Sequence, residues 1–258
     1  MARADGLLLD IDGVLAVSWE PIPGSVEALA AFRREGVPFR LITNTTTHTR
    51  RALSDTLGAA GFEVDPHEIV TAVTATARYL REEHPGANVF VLTDGEPGED
   101  LAGVSRAARP EEADVLVLGG ACDAFAYDVV NRIFRRVMDG AALVGMHRNM
   151  YWRTADGWEL DGGAYIAGIE EAAGVTATIC GKPAAAYFRA ALELLGVPAG
   201  RVAMVGDDVV NDIVGAQAVG CTGVLVRTGK YRDGDLAKAG PDAVVDALAD
   251  VPDWLRGS

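Results

Sequence analysis

Four short stretches of this chain carry polar side chains of the kinds that do chemistry, each beside an apolar run. "LLLDIDGV" presents Asp10 and Asp12, one residue apart, after three leucines. "LITNTT" presents Thr43 and Asn44, "CGKP" presents Lys182, and "VGDDVVND" presents Asp207, Asp208 and, one helical turn on, Asp212. An isolated aspartate in such a place is ordinarily a helix cap, and Thr43 alone would be one too. Collected together, they ask for more. Two carboxylates ~4 Å apart repel by about 4 kcal/mol at an effective dielectric of 20, so gathering several requires a cation. An oxygen-only donor set without His or Cys suits a hard ion, Mg²⁺ above all, and disfavours zinc. Thr43 offers a hydroxyl beside the amides that open a helix, which is an anion site, and Lys182 adds a point charge suited to phosphate. Carboxylate nucleophile, acid/base partner, divalent cation and cationic clamp are together the parts of phosphoryl transfer.

The elements that must position these residues follow from periodicity. "GLLLD", "VPFRLITN", "RVAMVGDD" and "TGVLVRTG" read as buried strands, each an apolar run closed by turn residues. Between them lie helical patterns. Val26, Leu29 and Ala30 share one face with Arg33 and Arg34 turned outward. A helix is expected near residues 48–60, another with Phe188, Ala191, Leu192 and Leu195 on one face, and "DIVGAQAVG" ends a last one at Gly220. Such alternation predicts an α/β fold, a doubly wound parallel Rossmann-like sheet whose strand ends converge on one crevice. The middle of the chain differs. It holds strands "NVFVLTD" and "ADVLVLGG", a helix with Val130, Ile133, Phe134, Val137 and Met138 on one stripe, and an aromatic-rich stretch from Ala141 to Gly163. The expected organisation is a core of residues 1–72 and 178–258, interrupted by an inserted α/β domain over 73–177.

Composition excludes several classes. The 258 residues carry a formal net charge of −14, which disfavours nucleic acid and anionic lipid as partners. No apolar run approaches the length of a membrane span, and nothing near the N-terminus reads as a signal peptide, so the expected place is the cytoplasm. Cys122, Cys180 and Cys221 are widely spaced and odd in number, as reduced thiols in that compartment would be. Lysine occurs only at 182, 230 and 238, the other basic residues being arginine. A lysine kept in so arginine-biased a chain suggests that a compact ammonium is needed at 182; Lys230 and Lys238 read as surface residues.

"DIDGV", "TN", "GKP" and "GDDVVND", in this order, resemble the four motifs of the haloacid dehalogenase superfamily of phosphatases. The insert between the second and third resembles the α/β cap of its subfamily II. The likeness runs through "TNTT", "GKPAAAYF" and "LVRTGKY" and is closest to the branch of the phospholysine phosphohistidine inorganic pyrophosphate phosphatase and its hydrolase-domain relatives.

What the resemblance implies is a Mg²⁺-dependent phosphatase acting on a small phosphorylated metabolite, a phosphoester or else pyrophosphate or a phosphoramidate. Asp10 would attack phosphorus and become an aspartyl phosphate. Asp12 would protonate the leaving group, then deprotonate water, while its backbone carbonyl joins Asp10 and Asp207 around the metal. Asp208 and Asp212 would hold metal-bound waters, Thr43 and Asn44 would bind phosphoryl oxygens, and Lys182 would neutralise Asp10 and the phosphate. The resembling group includes homodimers formed through the cap. Arg148, Tyr151, Trp152 and Arg153 in "HRNMYWR" are candidates for the substrate side of the cap, with cap core as the other reading. Two rivals use similar parts: a phospho-accepting signalling module, which is about half this length, and a metal-independent dehalogenase of the same superfamily, which needs no second set of acids.

Overall fold

The computed structural model describes residues 3–154, 157–232, 234, 236 and 240–257. The side chains of Trp152 and Arg153, and the whole of Lys238, lie outside the described residues. The chain forms two compact units, one of Met1–Thr43, Arg50–Val70 and Lys182–Ser258, the other of Asn44–Thr49 and Thr71–Gly181.

In the first unit, six strands lie in the order Ala243–Val245, Thr222–Val226, Val202–Gly206, Gly6–Asp10, Phe39–Thr43, Ile69–Thr71. Every pairing from Ala243–Val245 across to Phe39–Thr43 is parallel. The central strand is buried along its whole length, which explains why "GLLLD" is apolar without alternation. Leu9 sits in register with Val205 on one side and Leu41 on the other. Leu7 and Leu9 join Leu29, Phe32 and Trp254 in the main core, and Leu8, pointing the other way, is equally buried. Each such leucine contributes about 1.5–3 kcal/mol through burial. From Gly6–Asp10 the chain winds first toward Ile69–Thr71 and later toward Ala243–Val245, so the sheet switches direction between Gly6–Asp10 and Val202–Gly206. Ligand crevices of doubly wound sheets open at that point, at the carboxyl ends.

The second unit repeats the architecture on a smaller scale. Its five strands, ordered Thr178–Ile179, Ala142–Gly145, Val115–Leu118, Asn88–Leu92, Ser105–Arg106, are parallel throughout. Leu116 and Leu118 pack on Ile133, Val137 and Ile166, while Val115 and Val117 pack on Val73, Ala77 and Leu80, so each face of the sheet has its own core. A two-stranded antiparallel hairpin, Tyr151–Thr154 with Gly157–Leu160, stands apart from this sheet.

Three expectations are corrected. In the helix Ser25–Arg34 the buried stripe runs through Ser25, Ala28, Leu29 and Phe32, and Ala30 is exposed, because the large Phe32 sets which face turns inward. In Tyr127–Met138, Ile133 and Val137 are buried whereas Met138, at the last turn, is exposed. Lys182 does not end a core strand: the strand before it, Thr178–Ile179, pairs with Ala142–Gly145 in the second unit's sheet. Cys180 and Cys221 are buried, Cys122 is half-buried, and all three are free thiols. No helix among the described residues is long and apolar enough to cross a membrane.

Candidate active site

Asp10 ends the central strand and is only 4% exposed. Its Oδ1 accepts the Ile11 N–H at 2.9 Å and lies 2.7 Å from Lys182 Nζ. Lys182 is itself buried, and its ammonium stands equally close, 2.7 Å, to Asp212 Oδ1. Burial works against the charged lysine, but Asp10 and Asp212 outweigh it and push the Lys182 pKa upward.

Asp207 follows the neighbouring strand Val202–Gly206 and is 1% exposed. Its Oδ2 accepts the Lys230 N–H at 2.6 Å, whereas its Oδ1 is buried without a hydrogen-bond partner. Two glycines wall this carboxylate. Gly13 and Gly229 both have positive φ, +83° and +63°, and a Cβ on either would collide with Asp207 Oδ2. Thr228 Oγ1 donates to the Gly13 carbonyl at 2.5 Å and ties the two turns together. Here glycine is required both for its backbone conformation and for room.

The carboxylates of Asp10, Asp207 and Asp212 each place an oxygen within 4.8 Å of the others, all buried. One ammonium does not balance them. Burial, then the Asp10 charge, pushes the Asp207 carboxyl up to about 7, and the same two causes push Asp212 up to about 8 against the pull of Lys182. The unpartnered Asp207 oxygen, the excess negative charge and the all-oxygen donor set together fit a divalent hard cation.

The remaining residues take distinct places. Asp208 caps the helical segment beginning at Val209: its Oδ1 accepts the Val210 and Asn211 N–H groups, and its Oδ2 accepts from the Asn211 side chain at 2.8 Å. Burial would raise the Asp208 pKa, but these donors and nearby Lys230 lower it. The Asp208 N–H donates to Asp212 Oδ2 at 3.1 Å, so Asp212 is held by Lys182 on one oxygen and by backbone on the other. Asp12 lies two residues beyond the end of the strand, in a turn bridged to Ala16, and is exposed. Its side chain is outside the carboxylate cluster.

Thr43 is buried at the end of Phe39–Thr43. Its N–H donates to Tyr187 Oη at 3.0 Å, and that hydroxyl in turn lies 3.0 Å from the Thr43 carbonyl and 2.7 Å from that of Val70. Tyr187 fixes two strand ends at once. Asn44 belongs to the second unit, where its Oδ1 abuts Gly181 so closely that a Cβ there would not fit. Lys230 keeps a side chain 63% exposed, 3.9 Å from Asp208 Oδ2. Partial desolvation opposes its charge, and Asp10, Asp207 and Asp208 more than compensate, raising its pKa.

In the second unit, Arg148 pairs bidentately with Glu170, and Tyr151 meets Trp158 edge to face at 5.4 Å, both rings exposed. Sequence reasoning missed Tyr187, whose signal was its place one residue before Phe188 on a buried helix face. It also missed the glycine cradle of Asp207, signalled only by the turn glycines in "DIDGV" and "RTGK".

Comparison with known proteins finds relatives over nearly the whole chain. A family model described as haloacid dehalogenase-like hydrolase matches residues 7–105, and a related HAD-like model matches residues 179–251. The chain is 34% identical to human haloacid dehalogenase-like hydrolase domain-containing protein 2 over 91% of its length and 88% of that protein's. It is also 34% identical to the phospholysine phosphohistidine inorganic pyrophosphate phosphatase of Rattus norvegicus, over 97% of this chain and 93% of that one. The p-nitrophenyl phosphatase from Archaeoglobus fulgidus superposes with a TM-score of 0.91 at 30% identity, covering 98% of this chain and 100% of that structure. The chain belongs to the haloacid dehalogenase-like hydrolases.

Proposed function

We propose that this chain is a Mg²⁺-dependent phosphatase that hydrolyses small phosphorylated metabolites through an aspartyl phosphate on Asp10. The observation that carries this reading is the buried Asp10–Lys182 pair beside the unpartnered Asp207 oxygen. Asp10 Oδ1 is held by Lys182 and the Ile11 amide. Oδ2 is the oxygen left to attack.

Attack by Oδ2 on phosphorus breaks the bond to the leaving oxygen, which takes a proton from Asp12. Asp12, now ionised, removes a proton from water; the hydroxide attacks the aspartyl phosphate, regenerates the Asp10 carboxylate and releases inorganic phosphate. Exposure suits Asp12 to this exchange, because its proton must come and go. Lys182 pairs with Asp10 and offsets phosphoryl charge, with Asp212 holding the ammonium in place. Thr43, its backbone fixed by Tyr187, and Asn44 are the proposed phosphoryl-oxygen ligands. Asp10, Asp207 and the Asp12 carbonyl would hold Mg²⁺, which when bound supplies charge neutralisation for the carboxylates and the transferring group. Asp208 caps the segment that carries Asp212.

The unit inserted between the second and third motifs is proposed to act as a lid that excludes bulk water and selects the leaving group. Likeness to a nitrophenyl phosphatase and to a phosphoramidate and pyrophosphate phosphatase supports a phosphorylated small molecule as substrate. Hydrolysis of p-nitrophenyl phosphate by the purified chain, with Mg²⁺ and after exhaustive chelation, tests the reading. Activity lost on chelation and restored by Mg²⁺ is expected; full activity without metal would overturn the cation's role, and no activity on any phosphate ester would overturn the function.

A further inference from the structure

The second unit contains a buried pair of titratable side chains that the chemistry above does not use. His147, 3% exposed, follows the strand Ala142–Gly145, and Asp161, 7% exposed, precedes the helix Gly162–Ala173. Asp161 Oδ1 accepts the N–H groups of Gly162 at 2.7 Å and Ala121 at 3.0 Å, and its Oδ2 lies 4.0 Å from His147 Nε2. His147 Nδ1 accepts the Asn149 N–H at 3.2 Å, so the neutral ring carries its proton on Nε2, toward Asp161. Backbone bonds complete the knot: Asp161 N–H to the Met150 carbonyl at 3.0 Å, and Gly163 N–H to that of Asn149 at 2.9 Å.

These contacts sit at the base of the hairpin Tyr151–Thr154/Gly157–Leu160. Among the described residues that hairpin pairs with no third strand, and two strands alone are marginal in water, so its orientation depends on its base. Its outer residues Tyr151 and Trp158 are 62% and 63% exposed. On the far side of the knot, Gly120 N–H donates to Thr46 Oγ1 at 3.1 Å, in the segment that continues the chain from Thr43 and Asn44. The glycines here leave no slack. A Cβ on Gly162 would overlap the Gly119 carbonyl, and one on Gly163 that of Asn149.

We propose that Asp161 is a positioning residue for leaving-group selection: it locks the hairpin base to the Gly119–Ala121 turn, and through Thr46 to the segment following Asn44. This rests on the reading of the second unit as the one that selects substrate. Asparagine at 161 keeps an acceptor for both amides; serine caps Gly162 but does not reach Ala121.

Steady-state kinetics with p-nitrophenyl phosphate, with inorganic phosphate as inhibitor, test it in Asp161→Ala, Asp161→Ser and Asp161→Asn beside the hairpin variant Tyr151→Ala/Trp158→Ala. The expected result is a KM raised about tenfold in the Ala and Ser variants and in the hairpin variant, with kcat and phosphate inhibition within about twofold and with Asp161→Asn restored. If the hairpin variant shifts KM and neither Asp161→Ala nor Asp161→Ser does, the positioning role is overturned and the selecting role of the unit survives. If none shifts KM, both are overturned. A parallel loss of kcat and phosphate affinity in the Asp161 variants would mark a merely structural residue and overturn the proposal. Should Asp161→Ala not fold, the KM of Asp161→Ser decides between these outcomes.

Discussion

Asp10 and Lys182 are each buried, and their charged atoms lie 2.7 Å apart. Replacing Asp10 by Asn keeps the shape and removes the proposed nucleophile, so turnover should fall about a thousandfold or more with an unchanged circular dichroism spectrum. A folded Asn variant with near wild-type rate would move the nucleophile elsewhere. Asp207 has a different job. With its Oδ1 unpartnered and its Oδ2 held by the Lys230 amide, Asp207→Ala should raise the Mg²⁺ concentration giving half-maximal activity about tenfold or more, read from a metal titration. Tyr187→Phe removes a hydroxyl that serves Thr43 and Val70 in a fully buried place. It should cost about 1–3 kcal/mol by urea denaturation, because the Thr43 N–H loses its acceptor. A midpoint unchanged from wild type would mean that the backbone there finds another partner.

At the scale of elements, His147 gives the second unit a pH dependence of stability. Burial is the main cause and lowers its pKa below the ordinary 6.5, with Asp161 opposing. In the range just below 6.5 the unfolded chain then binds the extra proton and the folded one does not, so stability is present above that value and is lost as pH falls through it. The urea midpoint should drop between pH 7.5 and 5.5, and His147→Gln should shrink the drop; an equal drop in both would assign it to other groups. Several elements are legible in the sequence and others are not, for physical reasons. "GLLLD" and "VAMVG" are continuous apolar runs because both faces of the sheet are covered, and they carry Asp10 and Asp207 to the same sheet edge. Ile69–Thr71 and Ala243–Val245, three residues each, are too short for periodicity to separate from loop. Lys182 reads as the end of a core strand because "VTATIC" before it is rich in strand-favouring residues, and such a run does not state which sheet it joins. The alternation of a strand would put Asp10 and Asp12 on the same side. The strand stops at Asp10, and the two differ in burial instead.

For the molecule as a whole, the negative charge gathered at the sheet's carboxyl edge is a cost of the fold until a cation offsets it. Adding Mg²⁺ should therefore raise the melting temperature of chelator-treated protein, and the increase should shrink in Asp207→Ala. Equal melting curves with and without the metal would remove the cation from this site. The central claim is that phosphoryl passes through Asp10, and intact-protein mass spectrometry of Asp12→Asn after mixing with p-nitrophenyl phosphate tests it most directly. The nitrophenolate leaves without help from an acid, whereas water still lacks its base, so the phosphorylated protein should accumulate within a burst of nitrophenolate. The account predicts one added phosphoryl group, on the peptide containing Asp10 and absent in Asp10→Asn/Asp12→Asn. Steady wild-type turnover by Asp12→Asn on alkyl phosphates, with no added mass at any time, would contradict it.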